Sequence, residues 1–513
     1  MFMKNRILYL MLGFLIGVIV VSCNQTHREG MKVSPSASLK MTTPVPEGIE
    51  VPDQVSSRIG ILNFFDGIPD DATVEKLYDN LDFQRAVQAY LLGLPAANMA
   101  GLRNGITSFG PANITILTFE TLMDSRTLWL TANCNTPYTS VWINMHDGPL
   151  VLEVPPKVLG LINDLWGRYV TDIGIMGPDK GIGGKYLVLP PGYEGSIPEN
   201  YFVVKSPTFE CLYGFRQFAV NGDFKAAIES LKKIARVYLL SQAGNPPANN
   251  FLNVSGKEFN TIAPSDYGFW EYLNEVVQGQ PTESFDKVSL GYFASIGIEK
   301  GKPFAPDARM KKILTEAAVV GDATARAITY KMRQKEYYNY KNSAWRPLFI
   351  GGYKFESQPN VMNLDGSIAF YYAIMGVSPA EEIKIIGKGS QYAWASTDSK
   401  GKPLDGSKNY RLHMPSGIPV KDFWSVILYD YQTRSFLQTD QQFPMVSSQN
   451  KELIINPDKS VDVYFGPKAP VGKENNWIQT IPRKGWFTLL RLYGPLEPWF
   501  DKTWRPGEIE MME

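Results

Sequence analysis

One polar segment of the chain carries side chains that are suited to hold or to act on a small molecule. Asn133, Thr136 and Tyr138 put several hydrogen-bond donors and acceptors into one tight turn. Arg168 and Asp172 are four positions apart, so they can pair on a helix or flank the end of a strand. Because buried polar groups are usually hydrogen-bonded, this cluster is either a structural network or a ligand site. We expect the turn to lie near Arg168 and Asp172 and to border the largest cleft.

A second group of candidate residues, rich in aromatic rings, lies toward the C-terminus. It contains Trp424, Trp477, Arg491 and Tyr493. These side chains either line a binding cleft or fill the core of a sheet, because alternating aromatic residues on strands are common in cores. His413 is either a general base or a core histidine whose ring nitrogens are hydrogen-bonded.

The two groups define the candidate site residues. The candidates for catalysis are Tyr138, Arg168, Asp172 and His413. The candidates for ligand binding are Asn133, Thr136, Tyr138, Arg168, Trp424, Trp477, Arg491 and Tyr493.

The sequence lacks the motifs of several common enzyme classes and metal sites. The chain has no G-x-S-x-G nucleophile motif and no H-E-x-x-H zinc motif. Its histidines are His27, His146 and His413, and none has the spacing of a metal site, so we predict neither a metal nor a cofactor. Lysine plus arginine and aspartate plus glutamate number 51 each, which argues against nucleic acid as a partner.

Hydrophobic periodicity predicts the elements that must position these residues. Helical spacing of apolar residues predicts helices over residues 71–94 (with Asp71 as the cap), 224–239, 265–278 and 307–335. Short β-branched and aromatic runs predict strands over residues 113–205 and from 345 onward, chiefly 400–495, with Asp365-Gly366 among the turns.

The N-terminus predicts export and a membrane anchor. Lys4 and Arg6 precede a short apolar run that ends in Val-Val-Ser before Cys23, which resembles a bacterial lipoprotein signal in which Cys23 receives the lipid. The alternative is an uncleaved N-terminal anchor, although the run is too short to span a bilayer comfortably. Both interpretations place the protein in the bacterial cell envelope, outside the cytoplasm and attached to a membrane.

Two further cysteines leave one question open. In an oxidising compartment, Cys134 and Cys211 either form a disulfide or remain separate, buried and reduced. The sequence says nothing about the distance between their Cα atoms, so both alternatives stand.

Two sets of motifs resemble known families. The first set, Thr131–Tyr138 with Pro190–Gly195, resembles domain-of-unknown-function family 1254. The second set, Phe423–Asp430 with Asn476-Trp477 and Arg491–Pro495, resembles family 1214. The resemblance implies an N-terminal α+β body followed by a C-terminal β-sandwich and implies no activity. One position departs from the family 1254 pattern, because Asn135 replaces an acidic residue.

The expected class is α+β: an N-terminal β-rich body with helices, a central helical segment and a C-terminal antiparallel β-sandwich. The expected divisions are a signal peptide (1–22), a tether (23–51), the N-terminal domain (52–220), the helical segment (221–344) and the sandwich (345–513).

Three functions compete. The first is a membrane-tethered protein that binds a small molecule or a glycan in an aromatic and polar cleft. The second is an extracytoplasmic hydrolase that needs no cofactor and uses Tyr138, Arg168 and Asp172. The third is a structural component of the envelope, for which no repeat or long coiled coil gives support.

Overall fold

The computed structural model describes residues 41–218 and 223–512. Cys23, the predicted signal peptide and the first part of the predicted tether lie outside the described residues. The chain divides into two compact units, one ending at Val74 and the other spanning Glu75–Glu513. Helices and mainly antiparallel sheets coexist, so the predicted α+β class is confirmed. Within the described ranges, no helix has both the length and the apolar character needed to cross a membrane.

The first unit contains a three-stranded antiparallel meander. Its strands are β1 (Gln54–Ser57), β2 (Gly60–Phe65) and β3 (Ile68–Pro69). Asp66 and Gly67 both have positive φ between β2 and β3, which is the geometry of a tight hairpin turn.

Helix α1 (Asp71–Thr107) begins where the sequence predicts but differs in its cap and its length. The cap is Asp70, whose Oδ1 accepts a 2.7 Å hydrogen bond from the Thr73 amide, so the expectation of Asp71 was wrong by one residue. The helix also continues past Pro95 to Thr107. The buried alanines and leucine that follow Pro95 favour helix and pack into the core, which offsets the loss of one backbone donor.

The N-terminal β-rich body consists of two face-to-face sheets and a separate two-stranded sheet. Its strands are β4 (Thr115–Thr118), β5 (Thr127–Leu128), β6 (Tyr138–Asn144), β7 (Leu150–Val154), β8 (Leu159–Asp164), β9 (Tyr169–Gly174), β10 (Gly184–Leu189), β11 (Phe202–Lys205), β12 (Glu210–Arg216), β13 (Arg236–Leu239), β14 (Asn250–Asn253) and β15 (Phe259–Asn260). One of the facing sheets has the order β14-β4-β6-β12-β8-β9, the other has the order β11-β10-β7-β13, and β5 pairs with β15 in the two-stranded sheet. Val141, Leu152, Tyr186 and Tyr213 are among the buried residues that join them in one core.

Helix α2 (Phe224–Ile234) is shorter than predicted. Asp223 caps it by accepting a 2.7 Å hydrogen bond from the Lys225 amide. The last four residues of the predicted 224–239 helix instead form β13, which pairs with β7. Val237 and Tyr238 favour strands and are buried there, and edge pairing with β7 satisfies their backbone.

The remaining helices are α3 (Gly268–Gly279), α4 (Lys287–Ser295), α5 (Ala308–Tyr330), α6 (Leu364–Ala373) and α7 (Glu497–Phe500). Helix α6 replaces the predicted strands and turn around Asp365-Gly366, and Asn363 caps it through a 2.9 Å hydrogen bond from the Gly366 amide. Residues 368–373 of this helix are buried on every side, so no one-sided helical stripe is visible in the sequence.

The C-terminal body is a β-sandwich, as predicted. A small hairpin precedes it, formed by β16 (Glu356–Gln358) and β17 (Val361–Met362). The sandwich strands are β18 (Ser390–Ala395), β19 (Tyr410–Met414), β20 (Val420–Asp430), β21 (Met445–Ser447), β22 (Val461–Gly466), β23 (Trp477–Gln479), β24 (Trp486–Pro495) and β25 (Ile509–Met511). The sheets β18-β24-β20-β21 and β23-β22-β19-β25 share one core, and all their pairs are antiparallel except β22 with β23.

The other face of sheet β18-β24-β20 is also buried. Ile427, Tyr429, Phe487 and Leu489 pack on this face into a core that includes residues of α1, α3 and α5. Trp142 and Leu212 of the N-terminal sheet belong to the same core. The two β-rich bodies are therefore held together through a continuous hydrophobic core, and the candidate site lies at this junction.

Candidate ligand-binding cavity

A partly enclosed cavity of about 110 Å³ lies where the two β-rich bodies meet. Its walls come from β6, β8, β12, β18, β24, the loop 129–132 and the segment 348–381. Most of the lining is apolar, contributed by Leu130, Leu159, Leu161, Leu212, Phe215, Leu348, Phe349, Ile374 and Met375. Two more open clefts, of about 460 and 480 Å³, are larger. Tyr138 therefore borders this smaller, partly enclosed cavity and not the largest cleft.

Two cross-strand pairs of tyrosine and arginine contribute to the polar lining. Tyr138 on β6 is the register partner of Arg216 on β12. Tyr392 on β18 is the register partner of Arg491 on β24. Side chains of directly paired residues lie on the same face of a sheet, so each sheet presents one phenol and one guanidinium to the cavity.

Glu381 connects the two pairs. Its Oε1 accepts a 2.8 Å hydrogen bond from Nη2 of Arg216 and another of 2.8 Å from the hydroxyl of Tyr392. The Ser390 hydroxyl lies 2.8 Å from the Tyr392 oxygen, and it donates there because the Tyr392 proton is already directed at Glu381. The Arg216 and Glu381 side chains are only 8% and 18% exposed, so this ion pair is largely desolvated.

Arg491 is buried without a carboxylate partner. Its Nη2 donates to the carbonyl oxygens of Thr131 and Ala132 and to the Tyr429 hydroxyl, which are all neutral. Its Nε is buried and has no hydrogen-bond partner. Its Cζ lies 5.3 Å from the centre of the Tyr392 ring, a cation–π contact that compensates part of the lost hydration.

The phenols around these arginines are neutral. Burial raises the pKa of Tyr138, although the nearby guanidiniums of Arg216 and Arg491 act in the opposite direction. Burial likewise raises the pKa of Tyr392 and Tyr429 far above the physiological range. Among the hydrogen bonds found in the described part of the chain, none involves the Tyr138 hydroxyl, which is therefore available to a ligand.

The predicted polar turn lies beside the cavity and forms a structural network. Asn133 is fully buried, its Oδ1 accepts from the Asn135 amide, and its Nδ2 donates to the Tyr493 hydroxyl at 2.6 Å. Thr136 is buried and its hydroxyl lies 3.4 Å from Asn133 Nδ2. The structure thus brings together two residues that the sequence placed in separate groups, Asn133 and Tyr493.

Arg168 and Asp172 do not pair on a helix; they lie at the start of β9, with Arg168 directly before the strand and Asp172 inside it. Arg168 donates from Nε to Asp164 Oδ2 at 2.8 Å, and its Nη2 donates to the Ser284 carbonyl. The positive φ of Gly167 allows the tight turn after β8 that brings Arg168 back onto Asp164. Arg168 is not part of the cavity lining.

Asp172 lies one contact behind the cavity wall. Its Oδ1 accepts a 2.6 Å hydrogen bond from the hydroxyl of Ser378, which lines the cavity. Burial raises the pKa of Asp172 to about 7, the Ser378 hydrogen bond opposes this shift, and repulsion from Glu381 adds to it.

The other predicted residues lie away from the cavity. Trp424 is buried in the sandwich core. Trp477 lines the cleft of about 460 Å³ and donates from Nε1 to the Gly466 carbonyl at 2.9 Å. His413 is partly exposed on β19, with Nδ1 at 2.8 Å from Asp462 Oδ1.

Sequence reasoning missed four residues that shape the cavity: Arg216, Gly214, Glu381 and Tyr392. Gly214 had a detectable signal, because a glycine inside a strand often marks close approach by a ligand or another backbone. Its φ is not positive, and a Cβ built there meets nothing nearer than the Leu212 side chain at 3.9 Å. The backbone therefore does not require glycine, and the missing side chain leaves space at the cavity wall.

The cysteines and the metal-binding residue types give no second site. Cys134 and Cys211 are both buried and free, so the separate, reduced alternative holds. Within residues 41–218 and 223–512, no three residues of the types His, Cys, Asp and Glu are grouped as a metal site requires.

A segment of each β-rich body matches a known protein family. Residues 115–239 match the family described as "Protein of unknown function (DUF1254)", and residues 389–497 match "Protein of unknown function (DUF1214)". The chain carries these two family domains in tandem. The predicted pairing is therefore confirmed, and the cavity is walled by both domains and by the segment that connects them.

One solved structure supports the fold and nothing beyond it. The crystal structure of the VPA0106 protein from Vibrio parahaemolyticus is similar with a TM-score of 0.53 and 17% identity, covering 84% of this chain and 100% of that one. An uncharacterised protein from Burkholderia cenocepacia is more distant, with a TM-score of 0.36 and 13% identity over 85% of this chain and 96% of that one. Among curated proteins, none matches this chain.

Proposed function

We propose that the cavity between the tandem domains binds a small organic molecule. The supporting observation is a partly enclosed, mainly apolar space in which Tyr138, Arg216, Tyr392 and Arg491 converge, at a position where Gly214 leaves room. Apolar walls with a few convergent polar groups are typical of small-molecule sites. A glycan suits this cavity poorly, because its many hydroxyls would lie against apolar walls.

The test is a substitution in the cavity wall whose larger side chain occupies part of the cavity. Gly214→Val adds an isopropyl group at the cavity wall and favours the strand, so the variant should fold. Small molecules extracted from purified wild-type protein are compared with those from the variant by mass spectrometry. Gly244→Val is the matched control, because a Cβ at Gly244 also meets no neighbour and Gly244 is exposed outside the cavity. We expect a molecule that wild type and Gly244→Val retain and Gly214→Val loses; equal recovery from all three proteins would overturn the proposal.

A hydrolase without a cofactor is the second candidate. It is favoured by the 2.6 Å contact between Asp172 and the Ser378 hydroxyl at the cavity wall, which is the arrangement of a base beside a hydroxyl nucleophile. Tyr138 would act as a hydrogen-bond donor, whereas Arg168 contacts Asp164 and lies outside the cavity lining. Hydrolysis of small p-nitrophenyl esters by wild type, and its loss in Ser378→Ala, would support this candidate; equal rates in both proteins would exclude it.

The location of the protein is a separate proposal that rests on the sequence. We infer that lipid on Cys23 anchors the chain to a membrane of the bacterial envelope, because Lys4, Arg6, the apolar run and Val-Val-Ser precede Cys23. Cys23→Ala should abolish both lipid attachment and processing. Detection of an intact Met1 N-terminus in the membrane fraction of cells that express wild type would refute the proposal.

A further inference from the structure

We propose that the ligand of this cavity carries one carboxylate, which binds at Arg491; this inference rests on the proposed function above. The charges on the cavity wall lead to it. Arg216 and Arg491 carry two positive charges, and Glu381 supplies one negative charge that already pairs with Arg216. One positive charge is left uncompensated on a buried side chain, Arg491, where a lone charge is costly.

No protein group in contact with Arg491 can neutralise it. Its hydrogen-bond acceptors are two carbonyl oxygens and the Tyr429 hydroxyl, and Tyr392 offers only its ring face. Asp172 lies behind Ser378 and does not line the cavity. A ligand anion is the remaining source of negative charge.

The free donors suit a carboxylate. The Tyr138 hydroxyl makes no hydrogen bond to the described residues, and Arg216 uses only Nη2 among its nitrogens. A carboxylate has two oxygens that accept from such donors, and charge-assisted hydrogen bonds of this kind are strong. The remaining apolar walls then require an apolar remainder of the ligand.

The cavity volume limits that remainder. About 110 Å³ is somewhat smaller than an engineered cavity of roughly 150 Å³ that binds benzene. The inference therefore specifies a small monocarboxylate whose apolar part is no larger than a benzene ring, with benzoate at the upper limit and short-chain fatty acids below it.

Two isosteric series test the charge without changing the shape. Benzoate, benzamide and benzamidine differ in charge on one ring, and hexanoate, hexanamide and hexanamidine do so on one flexible chain. Binding to the full chain is measured by calorimetry and by thermal shift. We expect an acid of at least one series to bind roughly tenfold or more tightly than its amide, with the amidine weakest.

The outcomes separate this inference from the proposed function. If an amide or an amidine binds as tightly as its acid, the carboxylate assignment is overturned and the binding site stands. If none of the six compounds binds, the carboxylate inference fails, and the proposed function is decided by the extraction comparison of wild type with Gly214→Val. If the acid binds more tightly but equally to Gly214→Val, it occupies another site, and the carboxylate assignment to this cavity also fails.

Substitutions test whether Arg491 is the group that binds the carboxylate. Arg491→Gln should lower the affinity for the acid roughly tenfold or more and leave the amide unchanged. Arg346→Gln is the matched control, because Arg346 is also buried and bonded to the carbonyls of Pro347 and Thr329 but lies outside the cavity lining. Should Arg491→Gln fail to fold, Glu381→Gln tests the same point, since removal of a negative charge should tighten acid binding and leave amide binding unchanged. Weaker acid binding by Glu381→Gln would overturn the inference.

Discussion

Asn133 Nδ2 donates a 2.6 Å hydrogen bond to the Tyr493 hydroxyl, and this bond joins the two tandem domains. The ring of Tyr493 stacks on Phe423 at 4.2 Å and lies 5.5 Å from the guanidinium carbon of Arg216. The bond therefore fixes an aromatic ring of the second domain beneath a cation of the first. The position of Arg216 at the cavity thus depends on residues from both domains.

Loss of this bond should destabilise the junction. Asn133→Ala leaves the buried Tyr493 hydroxyl without its donor and removes the acceptor of the Asn135 amide, so the free energy of unfolding should fall by about 2 kcal/mol or more. Urea denaturation measures the change, with the exposed Asn245→Ala as control. In a double-mutant cycle with Tyr493→Phe, additive effects would show that the two side chains are not coupled.

Asp172 should make stability fall as pH rises. Burial raises its folded-state pKa to about 7 from an ordinary value of 3.8, so the folded chain retains a proton that the unfolded chain has released between these values. The free energy of unfolding therefore decreases from about pH 4 to about pH 7, by up to roughly 4 kcal/mol, and is level above that range.

Asp172→Asn should remove this dependence. The variant should be more stable than wild type near pH 8 and similar to it near pH 4, because asparagine resembles the neutral acid and can still accept from Ser378. Denaturation curves at several pH values check this, with the exposed Asp147→Asn as control. A variant that is less stable than wild type near pH 8 would show that the ionised carboxylate is the favoured form.

The sequence predicted secondary structure best where short runs of neighbouring residues determine it. Strands β20, β22 and β24 were predicted because β-branched and aromatic residues cluster there, and the family motifs identified both domains. Prediction from the sequence failed where tertiary packing determines the secondary structure. Residues 368–373 of α6 are buried on every side and show no helical stripe, and β13 forms because the edge of β7 is available.

The site was only partly predictable for the same reason. Tyr138 and Arg491 were named because of their motifs, but their partners Arg216 and Tyr392 come from strand register, which a single sequence does not display. Glu381 reaches the cavity through a connecting segment without a recognisable motif. The charge balance that supports a ligand therefore appears only after the strands are paired.

The two tryptophans named as ligand-binding candidates should behave differently. Trp424 is buried in the sandwich core, so Trp424→Ala should lower the free energy of unfolding by about 3–5 kcal/mol. Trp477 lines an open cleft, so Trp477→Ala should cost clearly less. Neither change should alter benzoate binding, because neither side chain lines the cavity. Denaturation and calorimetry on both variants measure this; similar losses of stability would contradict the assignment of Trp424 to the core.

Cys134 and Cys211 should be unreactive thiols in the native protein. Both are buried and free, and burial raises the pKa of each thiol to about 12, so almost no thiolate is present at neutral pH. In a Cys23→Ser background, Ellman's reagent should label neither cysteine until the protein is unfolded, and then both. Ser196→Cys, at an exposed position, provides a thiol that should react at once. If unfolding without a reductant releases no thiols, a disulfide joins the two cysteines and their packing in separate cores is incorrect.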